Sequence, residues 1–217
     1  QSSLDAMAFP EYSRGLWPDS GEPDSLAYGL GWDNMEWYPF CQSDIQALVK
    51  GGDTLYYHAG LVVLPEYDMA AAVLTSGGIS TYNQLAAARI LLDALAEQGV
   101  EVEEEAALTP AQPAQMPAEL TQLSGWYGTS TAADEGVLTL TGMEGTFTYR
   151  EDGSFRDESD SVLLKLVQED NGETYLYQKS YASIPGLTTL CVASYAMERL
   201  PSYQPDEATQ AAWEARE

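Results

Sequence analysis

Three prolines in eight residues, Pro110, Pro113 and Pro117, divide this chain more firmly than any other feature. Proline fixes φ and has no N–H to donate, so neither a regular helix nor a central strand can pass through this stretch. The Ala and Gln residues between the prolines favour extended, polyproline-like backbone, which acts as a semi-rigid connector. The charge run Glu101-Val102-Glu103-Glu104-Glu105 leads into it. We expect residues 101–117 to be a Pro-rich linker. Residues 1–100 and 118–201 then form separate parts, and residues 202–217 form a trailing helix or tail.

Upstream of the linker, Ala27 to Trp32 and Gly60 to Ser76 read as strands. Leu61-Val62-Val63-Leu64 and Ala70-Ala71-Ala72-Val73-Leu74 are short apolar runs separated by Pro65-Glu66-Tyr67-Asp68. That pattern predicts two buried strands joined by a tight turn. Leu85, Ala88, Leu91, Leu92, Leu95 and Ala96 recur at helical spacing, which predicts a helix over Gln84–Gln98 with Gly99 as its cap.

Downstream the rhythm changes. Short strand candidates at 125–128, 136–141, 145–149, 161–167, 174–179 and 187–197 alternate with glycine turns. Asp170-Asn171-Gly172 between two alternating runs is the strongest hairpin signal. Regular short strands with frequent turns predict an antiparallel sandwich or barrel. The expected fold class is α+β: a partial antiparallel sheet with a terminal helix, followed by an all-β antiparallel barrel or sandwich.

Composition narrows the partners. The chain has 217 residues, with 34 Asp and Glu against 9 Lys and Arg, a formal net charge of −25. Affinity for nucleic acid comes from cations neutralising phosphates, so no nucleic-acid partner is expected. The same charge excludes a basic patch for anionic lipid. The longest apolar run, Met69 to Leu74, is far short of the roughly 20 residues of a membrane helix, so no membrane span is expected. With one histidine and two cysteines, Cys41 and Cys191, a Cys/His zinc site is not expected either, nor any other metal or cofactor. The cysteines read as buried, inert thiols, with a disulfide between them left open. The start at Gln1 without a signal sequence, and the unstopped helical pattern at Ala211 to Glu217, suggest a piece of a longer chain.

The most informative stretch runs Lys50-Gly51-Gly52-Asp53-Thr54-Leu55-Tyr56-Tyr57-His58-Ala59-Gly60-Leu61-Val62-Val63-Leu64-Pro65-Glu66. A lysine on an edge strand beside two glycines lets another backbone approach closely, and its ammonium can hold a carboxylate. A plain Lys-Gly-Gly turn is the alternative. Tyr28-Gly29-Leu30-Gly31-Trp32 precedes it and Ala72-Val73-Leu74-Thr75-Ser76 follows. In this order the set resembles the C-terminal half of the catalytic domain of serine β-lactamase-like hydrolases, the class C β-lactamase and penicillin-binding-protein superfamily. The resemblance implies that Lys50 is the anion-holding residue of the third box. Gly51, Gly52, Asp53 and Thr54 would line the substrate site. It also implies a lipocalin-like C-terminal β-domain opening near Leu120-Thr121-Gln122-Leu123-Ser124-Gly125-Trp126-Tyr127, an extracytoplasmic location, and a small-molecule or peptide substrate of the full-length protein.

The nucleophile of that family is a serine three residues before a lysine, which lowers the cost of its deprotonation. Here Ala47, Val162 and Leu176 precede Lys50, Lys165 and Lys179 at that spacing. The chain is therefore expected to be an inactive C-terminal fragment of a β-lactam, D-alanyl peptide or small ester or amide hydrolase. The alternative is a non-catalytic binding or accessory β-domain module, with Trp126, Tyr127, Tyr175, Tyr177, Tyr181 and Tyr195 as aromatics for a ligand or for one face of a sheet. A third expectation is that residues 1–100 leave a sheet edge and face uncovered, and lean on the β-domain or on a second copy in a homodimer. His58 reads as a packed or surface strand histidine. The acidic stretch Asp157-Glu158-Ser159-Asp160 reads as solvated surface, since it lacks calcium-loop spacing.

Overall fold

The computed structural model describes residues 2–9, 27–104, 108–127, 131–134, 137–140, 146–201 and 205–216. Helix α1 (Ser2–Met7) comes first. Strands β1 (Leu48–Asp53), β2 (Tyr57–Leu64) and β3 (Met69–Ser76) form an antiparallel three-stranded sheet in sequence order. The β2–β3 turn is as expected: Pro65–Tyr67 makes a short 3-10 turn, and Asp68 closes it with φ 51°. The Ala27–Trp32 strand does not form. Gly29 and Trp32 bond each other's backbone, and Gly31 takes φ 88°, so the segment closes a tight turn.

Helix α2 (Ser80–Glu97) begins four residues before the expected start. Its apolar stripe of Leu85, Ala88, Leu91, Leu92 and Leu95 is buried against Val49, Val62, Leu64 and Ala71 of the sheet. Gly99 ends it at φ 79°, with Val100 N–H donating to Leu95 O at 3.0 Å and Gly99 N–H to Ala96 O at 3.0 Å. This is a Schellman closure, which satisfies the last helical carbonyls.

The second sheet is an eight-stranded antiparallel meander. It runs β4 (Gly125–Tyr127), β5 (Thr131–Asp134), β6 (Val137–Leu140), β7 (Thr146–Tyr149), β8 (Phe155–Arg156), β9 (Val162–Gln168), β10 (Thr174–Ile184) and β11 (Thr188–Glu198). The outer parts of three expected strands, at Gly128, Gly136, Thr141 and Gly145, lie outside the described residues. The β9–β10 hairpin turns at Asp170-Asn171-Gly172 as expected, with Gly172 at φ 87°. Tyr127, Phe147, Phe155, Leu164, Leu166 and Leu176 make the core of this sheet.

The expected lipocalin-like closed barrel is corrected. The sheet order runs from β11 to β4 without a ladder between those two strands. They meet through one isolated bridge, Tyr127 with Arg199, and the bond from Leu200 N–H to Trp126 O at 2.8 Å. A three-residue β4 is too short to pair along the eleven residues of β11. The chain is thus mixed α+β, with two antiparallel sheets and a few helices, the last being α3 (Glu207–Glu214), capped by Asp206.

The two sheets are joined through the β10–β11 hairpin. Beyond a register shift at Ser180/Tyr181, its far half carries Ala182, Ile184, Leu190 and Val192 into the core beneath α2. Trp37 Nε1 donates to Val192 O at 3.2 Å at this seam. The proline segment is not loose. Ala114 N–H donates to Tyr149 O and Glu151 N–H to Gln112 O, both at 3.0 Å. Arg156, buried, reaches Thr109 O at 2.8 Å and pairs with Asp152. Among the described residues no helix is long and apolar enough to cross a membrane.

Candidate functional site

Strand β1 is one edge of the three-stranded sheet. Asp33 N–H donates to Val49 O and Val49 N–H to Asn34 O, each at 2.8 Å, so Val49 turns its backbone away from β2. Antiparallel alternation then turns the backbone of Gly51 and Asp53 outward as well. Past Val49 no strand covers this edge among the described residues. Side chains take over: Gly51 N–H donates to Asp33 Oδ2 at 2.6 Å, and Lys50 Nζ donates to Gly51 O at 2.7 Å. Lys50 Nζ also meets Asp33 Oδ1 at 2.6 Å, with both side chains 47% exposed. One carboxylate is therefore gripped by an ammonium and a backbone amide at once.

The two glycines differ. Gly51 faces α2: a Cβ there would stand 2.7 Å from Gln84 Nε2 and 3.0 Å from Ser80 Oγ. Its lack of a side chain is explained by helix packing. Gly52 faces the opposite side of the sheet, where a Cβ would meet nothing within 4 Å. By register it shares a row with Ala59 of β2 and Leu74 of β3. Leu61 and Ala72 lie in the next row, beside Lys50. Leu74 is 76% exposed, so this face of the sheet is apolar and open to solvent near Lys50.

Asp53 acts within the fold. Its Oδ2 accepts from Ser80 Oγ at 2.6 Å, and its Oδ1 from Ser80 N–H at 2.8 Å and from the His58 ring at 2.6 Å. The residue before the helix, Ile79, has no capping side chain, so Asp53 caps α2 from β1. The Ser80 hydroxyl, then His58, hold the Asp53 carboxyl below its ordinary range. An ionised carboxylate only accepts, so His58 donates through Nδ1. Thr54 clamps the β1–β2 turn, donating from Oγ1 to Tyr57 O at 2.9 Å and accepting from Tyr57 N–H at 3.0 Å. Leu55, Tyr56 and Tyr57 project from that turn into solvent.

The structure thus gathers Lys50, Gly51 and Gly52 at one edge and gives Asp53 and Thr54 local bonding roles. Sequence reasoning missed Asp33 and Ser80. Ser80-Thr81 after Gly77-Gly78 is a helix-start signal that points to Ser80. Asp33 has no such signal, because its role depends on the turn that brings residues 29–33 alongside β1. Elsewhere, Asp157 folds its acidic stretch into a turn by accepting from the N–H groups of Ser161 and Val162, both at 2.9 Å. Tyr175 and Tyr177 pack 5.9 Å apart. Among the described residues no group of three or more His, Cys, Asp or Glu is placed to hold a metal ion.

No family model and no curated protein matches the chain. Among solved structures it is similar to one described as the crystal structure of SurE with D-Leu, at 19% identity and a TM-score of 0.37. The match covers 92% of this chain and 44% of that one, so the chain spans less than half its length. A likeness this slight carries no argument for fold or activity. The expected membership of the serine β-lactamase-like hydrolases, and with it the hydrolase-fragment, penicillin-binding and lipocalin-like readings, is corrected: no family model and no curated protein of that kind matches the chain.

Proposed function

We propose that the β1 edge at Lys50–Gly52 binds the carboxylate end of an extended, peptide-like ligand. The observation that carries this reading is the two-donor seat, Lys50 Nζ and Gly51 N–H, each 2.6 Å from an oxygen of one carboxylate. A charged donor and an amide aimed at one carboxylate make charge-assisted hydrogen bonds, the stronger kind. Beyond the seat, the outward backbone of Asp53 offers the main-chain groups that a peptide uses when it adds to a sheet edge. Gly52 leaves room beside it, and the open face around Ala59 and Leu74 offers apolar contact.

The surrounding charge sets the ligand class. At a net charge of −25 the field of the chain repels polyanions. One carboxylate on an otherwise uncharged peptide fits; a phosphate-rich or polyacidic ligand does not.

The test is a titration of ¹⁵N-labelled protein with N-acetyl-alanyl-alanine and, separately, with its C-terminal amide. The free acid should move the Gly51 and Gly52 amide signals saturably, the amide should not, and Lys50→Ala should abolish the response. Equal responses to acid and amide, or none to either, would refute the reading.

A further inference from the structure

We infer that Asp33 is an internal plug of the carboxylate seat, so that ligand binding at the β1 edge is regulated by displacement of this chain's own side chain. The inference rests on the reading of the β1 edge given above. Asp33 already makes the contacts assigned to the ligand: Oδ1 with Lys50 Nζ and Oδ2 with Gly51 N–H, each at 2.6 Å. The two oxygens are split between the two donors, so a second carboxylate cannot take the same bonds while Asp33 holds them.

The attachment of Asp33 favours a plug over a fixed structural bridge. Its backbone is pinned by the bond from Asp33 N–H to Val49 O at 2.8 Å, and the Gly29–Trp32 turn precedes it. The carboxylate itself is 47% exposed, and among the described residues it bonds to the two donors of the seat. It can leave by rotating its side chain into water, with no segment unfolded and no buried charge stranded. When it leaves, Lys50 keeps its bond to Gly51 O at 2.7 Å, which holds the ammonium at the edge for an incoming group.

Such a device has a defined cost for the ligand. Apparent affinity is the intrinsic affinity reduced by the fraction of molecules whose seat is empty. An exposed pair of this kind is worth little to moderate energy, so emptying the seat should tighten binding by about two- to fivefold. Occupying the seat in the ligand-free state also keeps an edge strand from pairing with stray strands, the usual hazard of an open edge.

The experiment compares wild type, Asp33→Ala, Lys50→Ala and Asp170→Ala by titration with N-acetyl-alanyl-alanine. Asp170 is exposed in the β9–β10 turn, so its variant removes one negative charge away from the β1 edge. Asp33→Ala should tighten binding about two- to fivefold, with Asp170→Ala unchanged from wild type. In the ligand-free protein it should also move the Gly51 amide proton upfield, as its bond to a carboxylate is lost. Unchanged or weaker binding by Asp33→Ala, while Lys50→Ala still abolishes it, would overturn the plug and leave the seat standing. An equal gain in Asp170→Ala would overturn it too, as a general charge effect. No binding by any of the proteins would overturn both the plug and the seat.

Discussion

Gly51 of β1 and Gly60 of β2 stand directly opposite each other, and both face the first turns of α2. A Cβ on Gly60 would lie 2.6 Å from the Asn83 carbonyl carbon and 2.9 Å from Gln84 Cα, both helix backbone. A Cβ on Gly51 would meet side-chain atoms, Gln84 Nε2 at 2.7 Å and Ser80 Oγ and Cβ at 3.0 and 3.1 Å. Backbone cannot yield as a side-chain tip can, so Gly60→Ala should cost about 1–3 kcal/mol. Gly51→Ala should cost less, and Gly52→Ala should leave stability unchanged. Urea midpoints of the three variants check this order. A Gly60→Ala protein as stable as Gly52→Ala would show that α2 does not rest on the sheet at this point.

Asp152 and the buried Arg156 form an ion pair that also ties down the proline segment through Thr109. Burial pushes the Asp152 carboxyl up, but the bonds from Ser154 and Arg156 outweigh it and hold it at about 2, below the ordinary 3.8. A lowered carboxyl stabilises the fold above its unfolded value and loses that contribution as the pH drops through the folded one. Asp152→Ala should cost about 1–2 kcal/mol at neutral pH: it leaves a buried guanidinium short of its partner, but solvent at the 37% exposed carboxylate screens the pair. The gap between wild type and variant should shrink as the pH falls from 3.8 towards about 2. Denaturant titrations at several pH values would show it; a constant gap would contradict the pairing.

Asp53 offers a second acid-side test at a more exposed place. Its carboxyl is lowered by the Ser80 hydroxyl and His58, so its support of α2 is present above the ordinary carboxylate range and fades below it. Asp53→Ala should lower the melting temperature at neutral pH and quicken amide exchange at Ser80, whose N–H loses its acceptor. Exchange at Gly99, at the other end of the helix, should not change. Equal acceleration at both ends would point to general loosening and not to a lost cap.

Cys41 should be chemically quiet. Burial, then the negative charge of Glu36 and the nearby Cys191, push its thiol up to about 12. The thiolate is the reactive form, so iodoacetamide at pH 8 should leave Cys41 unmodified in the folded chain and label it readily in urea. Mass spectrometry of the two samples decides the point. Rapid labelling of the native protein at Cys41 would contradict the raised thiol of this half-buried residue.

The parts of the fold legible in the sequence were those set by local pattern. The β2–β3 pair, most of α2 and the Asp170-Asn171-Gly172 hairpin follow from periodicity and turn chemistry. Ala27–Trp32 misled because Tyr28-Gly29-Leu30-Gly31-Trp32 looks apolar and alternating, while Gly31 supplies the positive φ that folds it back. Phe155-Arg156, a two-residue strand, was too short to give a pattern. At the β1 edge, Lys50 and the glycines were visible as a motif, but the division of labour between Gly51 and Gly52 was not. Which face α2 covers is a tertiary fact, and so is the arrival of Asp33.

The bond from Trp37 Nε1 to Val192 O spans 155 residues, and Leu190 completes the core that α2 shares with the first three strands. A ribosome makes those strands and that helix long before it makes β11. During synthesis the early layer must wait with an apolar surface exposed until the last hairpin arrives, in the interval when nascent chains are most open to aggregation. The order of translation therefore runs against the order in which this core can close, and a holding chaperone would have the most to do between residues 97 and 188.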